Sequence, residues 1–244
     1  AQVKPLVMVH GFMGGSAQWV EETAGLSDLR DIIAIDLPGF GANNHLAPIN
    51  TIGGLADWMI DALDSRDVQT FDLLGHSMGG MIVQEMARKA PDRIKKLVLY
   101  ATGAKGVLPG RFETIAESKK RARSDGAQAT ARRIAATWFL HREEADGYGS
   151  CAAIAEHASL GAILAALDAM QDWSGETVLG NLTQETLVLW GDCDRTYTWD
   201  QTALLWKTIP KTHLAVIPGC AHAVHLEKPK LFAAFLRDYL ERDV

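Results

Sequence analysis

The sequence is short of several features that mark specialised classes of protein. It has only three cysteines in 244 residues, an odd number and too few for a disulfide framework, so we expect reduced thiols in a cytoplasmic protein. Positive charge is in deficit, with 24 Lys and Arg against 30 Asp and Glu, which argues against nucleic acid as a partner. No apolar run approaches the roughly 18 residues that span a bilayer, so no membrane association is predicted.

What is present is a globular composition, with 48% hydrophobic and 22% charged residues. Short β-branched runs alternate with longer helical patterns, which predicts an α/β fold with a mostly parallel sheet and helices on both faces. Strands are predicted at residues 6–10, 31–36, 70–74, 96–100, 186–190 and 212–217. Helices are predicted at residues 16–26, 52–65, 78–89, 198–208 and 229–242.

The interval 103–181 interrupts this alternation. It has no strand pattern, is rich in Ala, Arg and Glu, and is too long for a loop. We therefore predict a core made of residues 1–102 and 182–244, with residues 103–181 inserted as a helical cap. Between Lys105 and Arg133 eight Lys or Arg stand against three Asp or Glu. This basic stretch is either a solvated helix face or a rim that attracts an anionic substrate.

A Gly-x-Ser-x-Gly pattern at residues 75–79 follows an apolar strand and precedes a helical pattern. This is the arrangement of a nucleophile elbow, in which the tight turn needs Gly75 and Gly79 and exposes the hydroxyl of Ser77. The turn also places that hydroxyl at a helix N-terminus, where free N–H groups stabilise a developing anion. Ser77 is therefore the candidate nucleophile.

A serine hydroxyl needs a base to remove its proton, and in this arrangement an acid and then a histidine follow later strands. Two candidate acids, Asp192 and Asp194, follow the strand at 186–190. Two candidate bases, His222 and His225, follow the strand at 212–217. The residue pattern by itself leaves both choices open.

These motifs resemble the α/β-hydrolase superfamily over nearly the whole chain. The resemblance rests on His10-Gly11, Asp36-Leu37-Pro38-Gly39-Phe40-Gly41, Gly75-His76-Ser77-Met78-Gly79-Gly80, Gly191-Asp192-Cys193-Asp194, and His222 followed by Glu227-Lys228-Pro229. It implies that Asp194 is the acid and His222 the base, although Ala221 stands where the family usually has glycine.

The resemblance also implies how the other site residues act. The backbone N–H groups of Phe12 and Met78 would form the oxyanion hole, and His10 would brace the loop after the first strand. No cofactor is implied. A metal site at His222, His225 and Glu227 is not predicted, because their spacing is a weak metal signal.

Within the superfamily, the segment 148–154 and the Ala/Leu-rich helix after it resemble the enol-lactonase and carboxylesterase branch. This implies a serine hydrolase acting on a small-molecule ester or lactone. A C–C bond hydrolase of the meta-cleavage type is an alternative, but His76 and Ala223 stand where such enzymes usually have Asn and Trp. The menaquinone-pathway lyase of this fold is a related alternative, but it usually has Arg at the position of Met81. A ligand-binding signalling protein that retains the triad is the alternative of another class.

Six residues are candidates for the substrate pocket, with helix packing as the other interpretation of the aromatic side chains in the cap. They are Met13, Trp138, Phe139, Trp173, Tyr197 and Val224. Cys193 and Cys220 flank the acid and the base, and we expect two free thiols, with a disulfide as the alternative. Only five residues precede the first predicted strand, so a sheet without the antiparallel edge strands of the family is expected.

Overall fold

A parallel sheet forms the centre of the molecule. The computed structural model describes residues 3–111 and 113–242, and within them six strands form this sheet in the order β2-β1-β3-β4-β5-β6. Every neighbouring pair is parallel. The strands are β1 (Leu6–Val9), β2 (Ile32–Ala34), β3 (Phe71–His76), β4 (Ile94–Tyr100), β5 (Glu185–Gly191) and β6 (Thr212–Ile217). All six predicted strands are confirmed, and the described residues add no antiparallel strand to the sheet.

Helices connect the strands. In chain order they are α1 (Val20–Leu26), α2 (Ile52–Asp64), α3 (Met78–Lys89), α4 (Ile115–Asp125), α5 (Ala127–Thr137), α6 (Tyr148–Ala155), α7 (Leu160–Gln171), α8 (Trp199–Thr208), α9 (Val224–Glu227) and α10 (Pro229–Glu241). Short 3₁₀ helices lie at Ser16–Trp19, Gly41–Asn43, Pro91–Arg93, Arg142–Glu144 and Leu179–Asn181. The helix predicted at residues 16–26 is therefore a 3₁₀ turn followed by α1.

The strands bury both of their faces, as their continuous apolar sequences predict. In β1, Val7 and Val9 belong to one apolar cluster while Leu6 and Met8 belong to another, because successive side chains of a strand point to opposite faces. Residues of α2 and α3 contribute to the first cluster, and residues of α1 and α10 to the second. The sheet is thus covered by helices on both sides.

The predicted cap lies between β4 and β5 and contains α4 to α7. The chain enters and leaves it at one place, where Gly106 donates a backbone hydrogen bond to Trp173 (3.0 Å) and Gly175 donates one to Ala104 (2.8 Å). Of the helices in the described residues, none alone is long and apolar enough to cross a membrane. The pair α6 and α7 meets both criteria together, but the two helices are bent by 94°.

A buried ion pair fixes the start of β3, the strand that leads to Ser77. Arg30 forms an ion pair with Asp72, and their side chains are 8% and 5% exposed. The Asp72 carboxylate also accepts the backbone N–H of Lys96 on β4 (3.0 Å). A second N–H group of Arg30 donates to the Leu240 carbonyl at the end of α10 (3.1 Å). The pair therefore joins two strands and the last helix.

Replacing Asp72 with Ala should lower the free energy of unfolding by about 3–5 kcal/mol, because the buried Arg30 charge would lose its partner. Urea denaturation measures this change. Asp238→Ala is the matched control, since it breaks an exposed ion pair with Arg242 and should leave stability almost unchanged. Equal losses in the two variants would contradict a stabilising role for the buried pair.

Candidate active site

Ser77 occupies a strained turn between β3 and α3. Its backbone has φ 59° and ψ −123°, a conformation that L residues other than glycine rarely adopt. The neighbouring glycines make the turn sterically feasible. A β-carbon on Gly75 would lie 2.2 Å from the Gly79 carbonyl oxygen, and one on Gly79 would lie 2.3 Å from the Val9 carbonyl oxygen. The turn that holds Ser77 therefore has no room for a side chain at positions 75 and 79.

Asp194 and His222 meet at the carboxyl ends of β5 and β6. Asp194 Oδ2 lies 2.9 Å from His222 Nδ1, and both side chains are almost fully buried. The other carboxylate oxygen accepts the backbone N–H groups of Thr196 (2.8 Å) and Tyr197 (3.1 Å). An ionised carboxylate only accepts hydrogen bonds, so the His222 proton resides on Nδ1 and Nε2 is the basic nitrogen.

The other candidate acid and base have different partners. Asp192 accepts the backbone N–H of Gly219 (2.7 Å), which closes a turn between the loops after β5 and β6. His225 Nδ1 lies 2.8 Å from the Tyr100 hydroxyl in the buried interior. The structure thus brings together the acid and the base that the family resemblance implies.

A layer of buried polar side chains lies beneath His222. His76, the residue before Ser77, places Nε2 3.1 Å from the His222 carbonyl oxygen and Nδ1 3.2 Å from the Gln18 amide nitrogen. The Tyr100 hydroxyl donates to the same carbonyl oxygen (3.3 Å), and it also accepts the backbone N–H of His225 (3.1 Å). This layer links the nucleophile turn to the loop of the candidate base.

The histidines of this layer are neutral. Burial lowers the pKa of His76 well below its usual value, and the nearby His222 lowers it further. Burial, again aided by His222, lowers the pKa of His225 to about 3. A neutral imidazole can donate from one ring nitrogen and accept at the other, which is how His76 bridges its two partners.

The loop after β1 lies directly against the nucleophile turn. A β-carbon on Gly11 would stand 2.9 Å from the backbone nitrogen of Met78, which is the first residue of α3. The following residue, Phe12, is partly buried and faces a cavity. His10 braces the loop, since its Nδ1 lies 2.9 Å from the Gly11 carbonyl oxygen while its Nε2 accepts the Leu37 N–H (2.9 Å).

Tyr197 adjoins all three residues of the candidate triad, a role that no sequence pattern indicated. Its backbone N–H donates to Asp194, its ring stacks on the His222 ring at 5.7 Å, and its hydroxyl lies near the Ser77 side chain. Burial raises the pKa of this hydroxyl, so it stays protonated at neutral pH.

Two charged residues fasten the cap to the loops of the candidate triad. Arg195, next to the candidate acid, donates to the carbonyl oxygens of Phe139 (2.7 Å) and Leu140 (2.8 Å). Glu227 accepts the backbone N–H of Leu140 (3.0 Å) and that of Ala221 (2.7 Å), which precedes the candidate base. Sequence patterns had marked Glu227 as part of a family motif and of a metal site that was not predicted, and neither indicated this role.

A cavity of about 650 Å³ lies between the cap and the core, and none of the described residues Ser77, Asp194 and His222 lines it. Phe12 and Thr196 line it on the core side, and α4, α5 and α7 line it on the cap side. Its polar lining comes largely from the basic stretch of the cap. The charge count had left open whether this stretch is a solvated helix face or a rim that attracts an anionic substrate.

None of the six candidate pocket residues, all of which the structure describes, lines this cavity. Trp138 and Tyr197 adjoin the site instead, through ring contacts with His222. Trp173 is directed elsewhere, since its indole N–H donates to Glu85 on α3 (3.0 Å). The other three are buried in the apolar core. The large apolar side chains are therefore used in packing, whereas longer polar side chains line the cavity.

The cysteines next to the acid and the base are neighbours. The Cys193 N–H donates to the Cys220 carbonyl oxygen (2.9 Å), and both side chains are free thiols, as is Cys151. Burial raises the pKa of the Cys220 thiol to about 12, so it is protonated and unreactive at neutral pH. In the part of the chain that the structure describes, no three His, Cys, Asp or Glu side chains are grouped to hold a metal ion.

Comparison with known families adds to this geometry. A model of the alpha/beta hydrolase fold matches residues 4–229. The chain belongs to the α/β-hydrolase family. Over 98% of its length this hydrolase is 24% identical to a putative carbamate hydrolase, RutD, from Agrobacterium fabrum, and the match covers 94% of that protein. A more local match is to the dihydrolipoyllysine-residue acetyltransferase component of the acetoin cleaving system from Pseudomonas putida. It is 36% identical over 102 residues, which are 42% of this chain and 28% of that protein.

Solved structures show the same fold. The enol-lactonase from Burkholderia xenovorans LB400 is similar with a TM-score of 0.90 and 20% identity, over 99% of this chain and 93% of that one. A thermophilic esterase from Thermogutta terrifontis, solved with malate bound, has a TM-score of 0.87 and 25% identity, over 97% and 89% of the two chains. The predicted fold class and superfamily are confirmed.

Acid should destabilise the hydrolase through its buried histidines. Unfolded histidine takes up a proton near pH 6.5, whereas His76 and His225 stay neutral, so each costs about 1.4 kcal/mol of stability between pH 7.5 and 5.5. Stability is thus highest above pH 6.5 and falls as the pH drops. Glu22, whose pKa burial raises to about 7, acts in the opposite direction, so variants must be compared.

Denaturant unfolding of His225→Gln at the two pH values tests this expectation. The pH dependence of its unfolding free energy should shrink by about 1.4 kcal/mol relative to the wild type. His45→Gln, which removes an exposed imidazole, is the matched control. A pH dependence in His225→Gln equal to that of the wild type would show that this imidazole does not resist protonation.

Proposed function

We propose that this hydrolase cleaves a small carboxylic ester or lactone through an acyl-enzyme on Ser77. The observation that carries the proposal is the 2.9 Å contact between Asp194 and His222, next to a serine on a strained turn. The 25% identity to an esterase over nearly the full length supports it. The cavity of about 650 Å³ has the size of a small-molecule site.

In this mechanism the Ser77 hydroxyl attacks the carbonyl carbon while His222 Nε2 takes its proton. Asp194 holds the imidazole by Nδ1 and stabilises the imidazolium. The negative oxygen of the tetrahedral intermediate would accept the backbone N–H groups of Phe12 and Met78. His222 then gives its proton to the leaving alcohol, and water, activated by the same imidazole, hydrolyses the acyl-enzyme. These steps need no cofactor.

The proposal predicts that Ser77→Ala loses nearly all hydrolysis of p-nitrophenyl acetate and butyrate while it remains folded. The loss should exceed about a hundredfold, because removal of a triad member costs more than that. Ser65→Ala, at the exposed end of α2, is the matched control and should keep full activity.

Two outcomes would count against the proposal. Residual activity of Ser77→Ala above about one hundredth of the wild type would exclude Ser77 as the nucleophile. A single burst of nitrophenol from the wild type, without further turnover, would indicate a stranded acyl-enzyme. That result would favour the ligand-binding alternative over an esterase.

Tyr197→Phe should lower kcat for the same esters by up to about tenfold, because it removes the hydroxyl near the Ser77 side chain and retains the ring stacked on His222. KM should change less than kcat, since the hydroxyl lies near the nucleophile rather than in the cavity. Tyr148→Phe, whose hydroxyl donates to the Arg132 carbonyl in the cap, is the matched control. Unchanged kcat in Tyr197→Phe would show that the hydroxyl near Ser77 does not assist the reaction.

A further inference from the structure

The cavity between the cap and the core is strongly basic, although the whole chain is acidic. Among the described residues that line it, Glu113 is the one carboxylate. The arginines that line it are Arg111, Arg121, Arg133, Arg142 and Arg195. A concave site with one sign of charge concentrates ligands of the opposite sign.

Two of these arginines already have structural partners. Arg195 donates both terminal nitrogens to the cap carbonyls described above. Arg121 lies 3.5 Å from the carboxylate of Asp125 and 3.9 Å from that of Glu113. Glu113 also accepts the Ser118 hydroxyl (2.7 Å), so the single acidic group of the cavity is in use.

Arg111 and Arg133 have guanidinium groups whose hydrogen-bonding capacity is only partly satisfied. The Nε atom of each is buried without a hydrogen-bond partner, and neither forms an ion pair with a carboxylate of the described chain. Arg111 donates only to the neutral Ser118 hydroxyl (2.6 Å). Burial lowers the pKa of both guanidinium groups despite the attraction of Glu113, and of Asp125 for Arg133, which reflects the cost of desolvating each cation. An anion in the cavity would offset that cost.

The cavity adjoins the loops of the candidate site. Phe12 lines it and adjoins the nucleophile turn through Gly11. The cavity is therefore bordered by Phe12, beside the nucleophile turn, and by Thr196, whose N–H donates to Asp194 (2.8 Å).

We propose that Arg111 and Arg133 bind a carboxylate of the substrate, so that the substrate is a half-ester of a short dicarboxylic acid or a lactone with a free carboxylate. This inference rests on the proposed hydrolase function and narrows it to a substrate class. The planar guanidinium group matches a carboxylate with two parallel hydrogen bonds. A phosphate would fit the same groups, and the experiment distinguishes the two.

The kinetic arm compares monomethyl glutarate with methyl valerate, which has the same chain length and lacks the second carboxylate. A pH-stat measures the acid released. The wild type should prefer the glutarate ester by about tenfold or more in kcat/KM, the effect of a charge-assisted hydrogen bond. Arg111→Gln and Arg133→Gln should each lower this preference at least several-fold. Arg123→Gln, exposed on α4, is the matched control and should retain it.

The binding arm needs no turnover. Glutarate should raise the Tm of the wild type and of Ser77→Ala, whereas neutral glutaramide should not. The rise should be lost in both cavity variants and retained in Arg123→Gln. The Tm of each variant without ligand shows whether it is folded, and the two cavity variants provide independent tests if one of them is not.

The outcomes separate this inference from the proposed function. Ser77-dependent ester hydrolysis without a preference for the glutarate ester, and without stabilisation by glutarate, would overturn the carboxylate site alone. Arginine-dependent stabilisation by glutarate without any Ser77-dependent hydrolysis would keep the site and overturn the hydrolase mechanism. Stabilisation by inorganic phosphate that equals that by glutarate, with no ester preference, would overturn the carboxylate assignment in favour of a phosphate ligand.

Discussion

The contact of three backbone segments around Ser77 is the constraint on which the rest of the site depends. The loop after β1, the turn after β3 and the first turn of α3 approach so closely that β-carbons on Gly11 and Gly79 would overlap backbone atoms. That approach holds serine in a conformation it would not otherwise adopt. It also brings the N–H groups proposed as the oxyanion hole to the same place, since Phe12 and Met78 belong to two of these segments.

The second support of the site is a polar layer that carries no charge. His76 and Tyr100 both hold the carbonyl oxygen of His222, and burial keeps the histidines of the layer neutral. Hydrogen bonds in such a dry setting are strong and orient their partners well. The candidate base is thus fixed from below by the layer and from the side by Asp194, while Tyr197 covers its ring.

More of the fold than of the candidate site could be predicted from the sequence. Continuous apolar runs were enough to predict six strands, because strands buried on both faces have no alternation to obscure them. The spacing of Gly75 and Gly79 was enough to identify Ser77 as the candidate nucleophile. Asp194 and Asp192 follow the same strand two residues apart, so only the family resemblance favoured one before the distance to His222 was known. The pocket residues were harder to predict, as Trp173 shows, because composition does not say which neighbour a large side chain will pack against.

The cap begins and ends at a single point, where residues 104–106 and 173–175 pair. Because those ends meet, the sheet continues from β4 to β5 whatever the length of the insertion, while the insertion contacts the loops of Asp194 and His222 through Phe139 and Leu140. The arginines at 111, 121, 133 and 142 all lie within this insertion. Most of the proposed anion site thus lies in the insertion, whereas the proposed nucleophile, acid and base lie in the core.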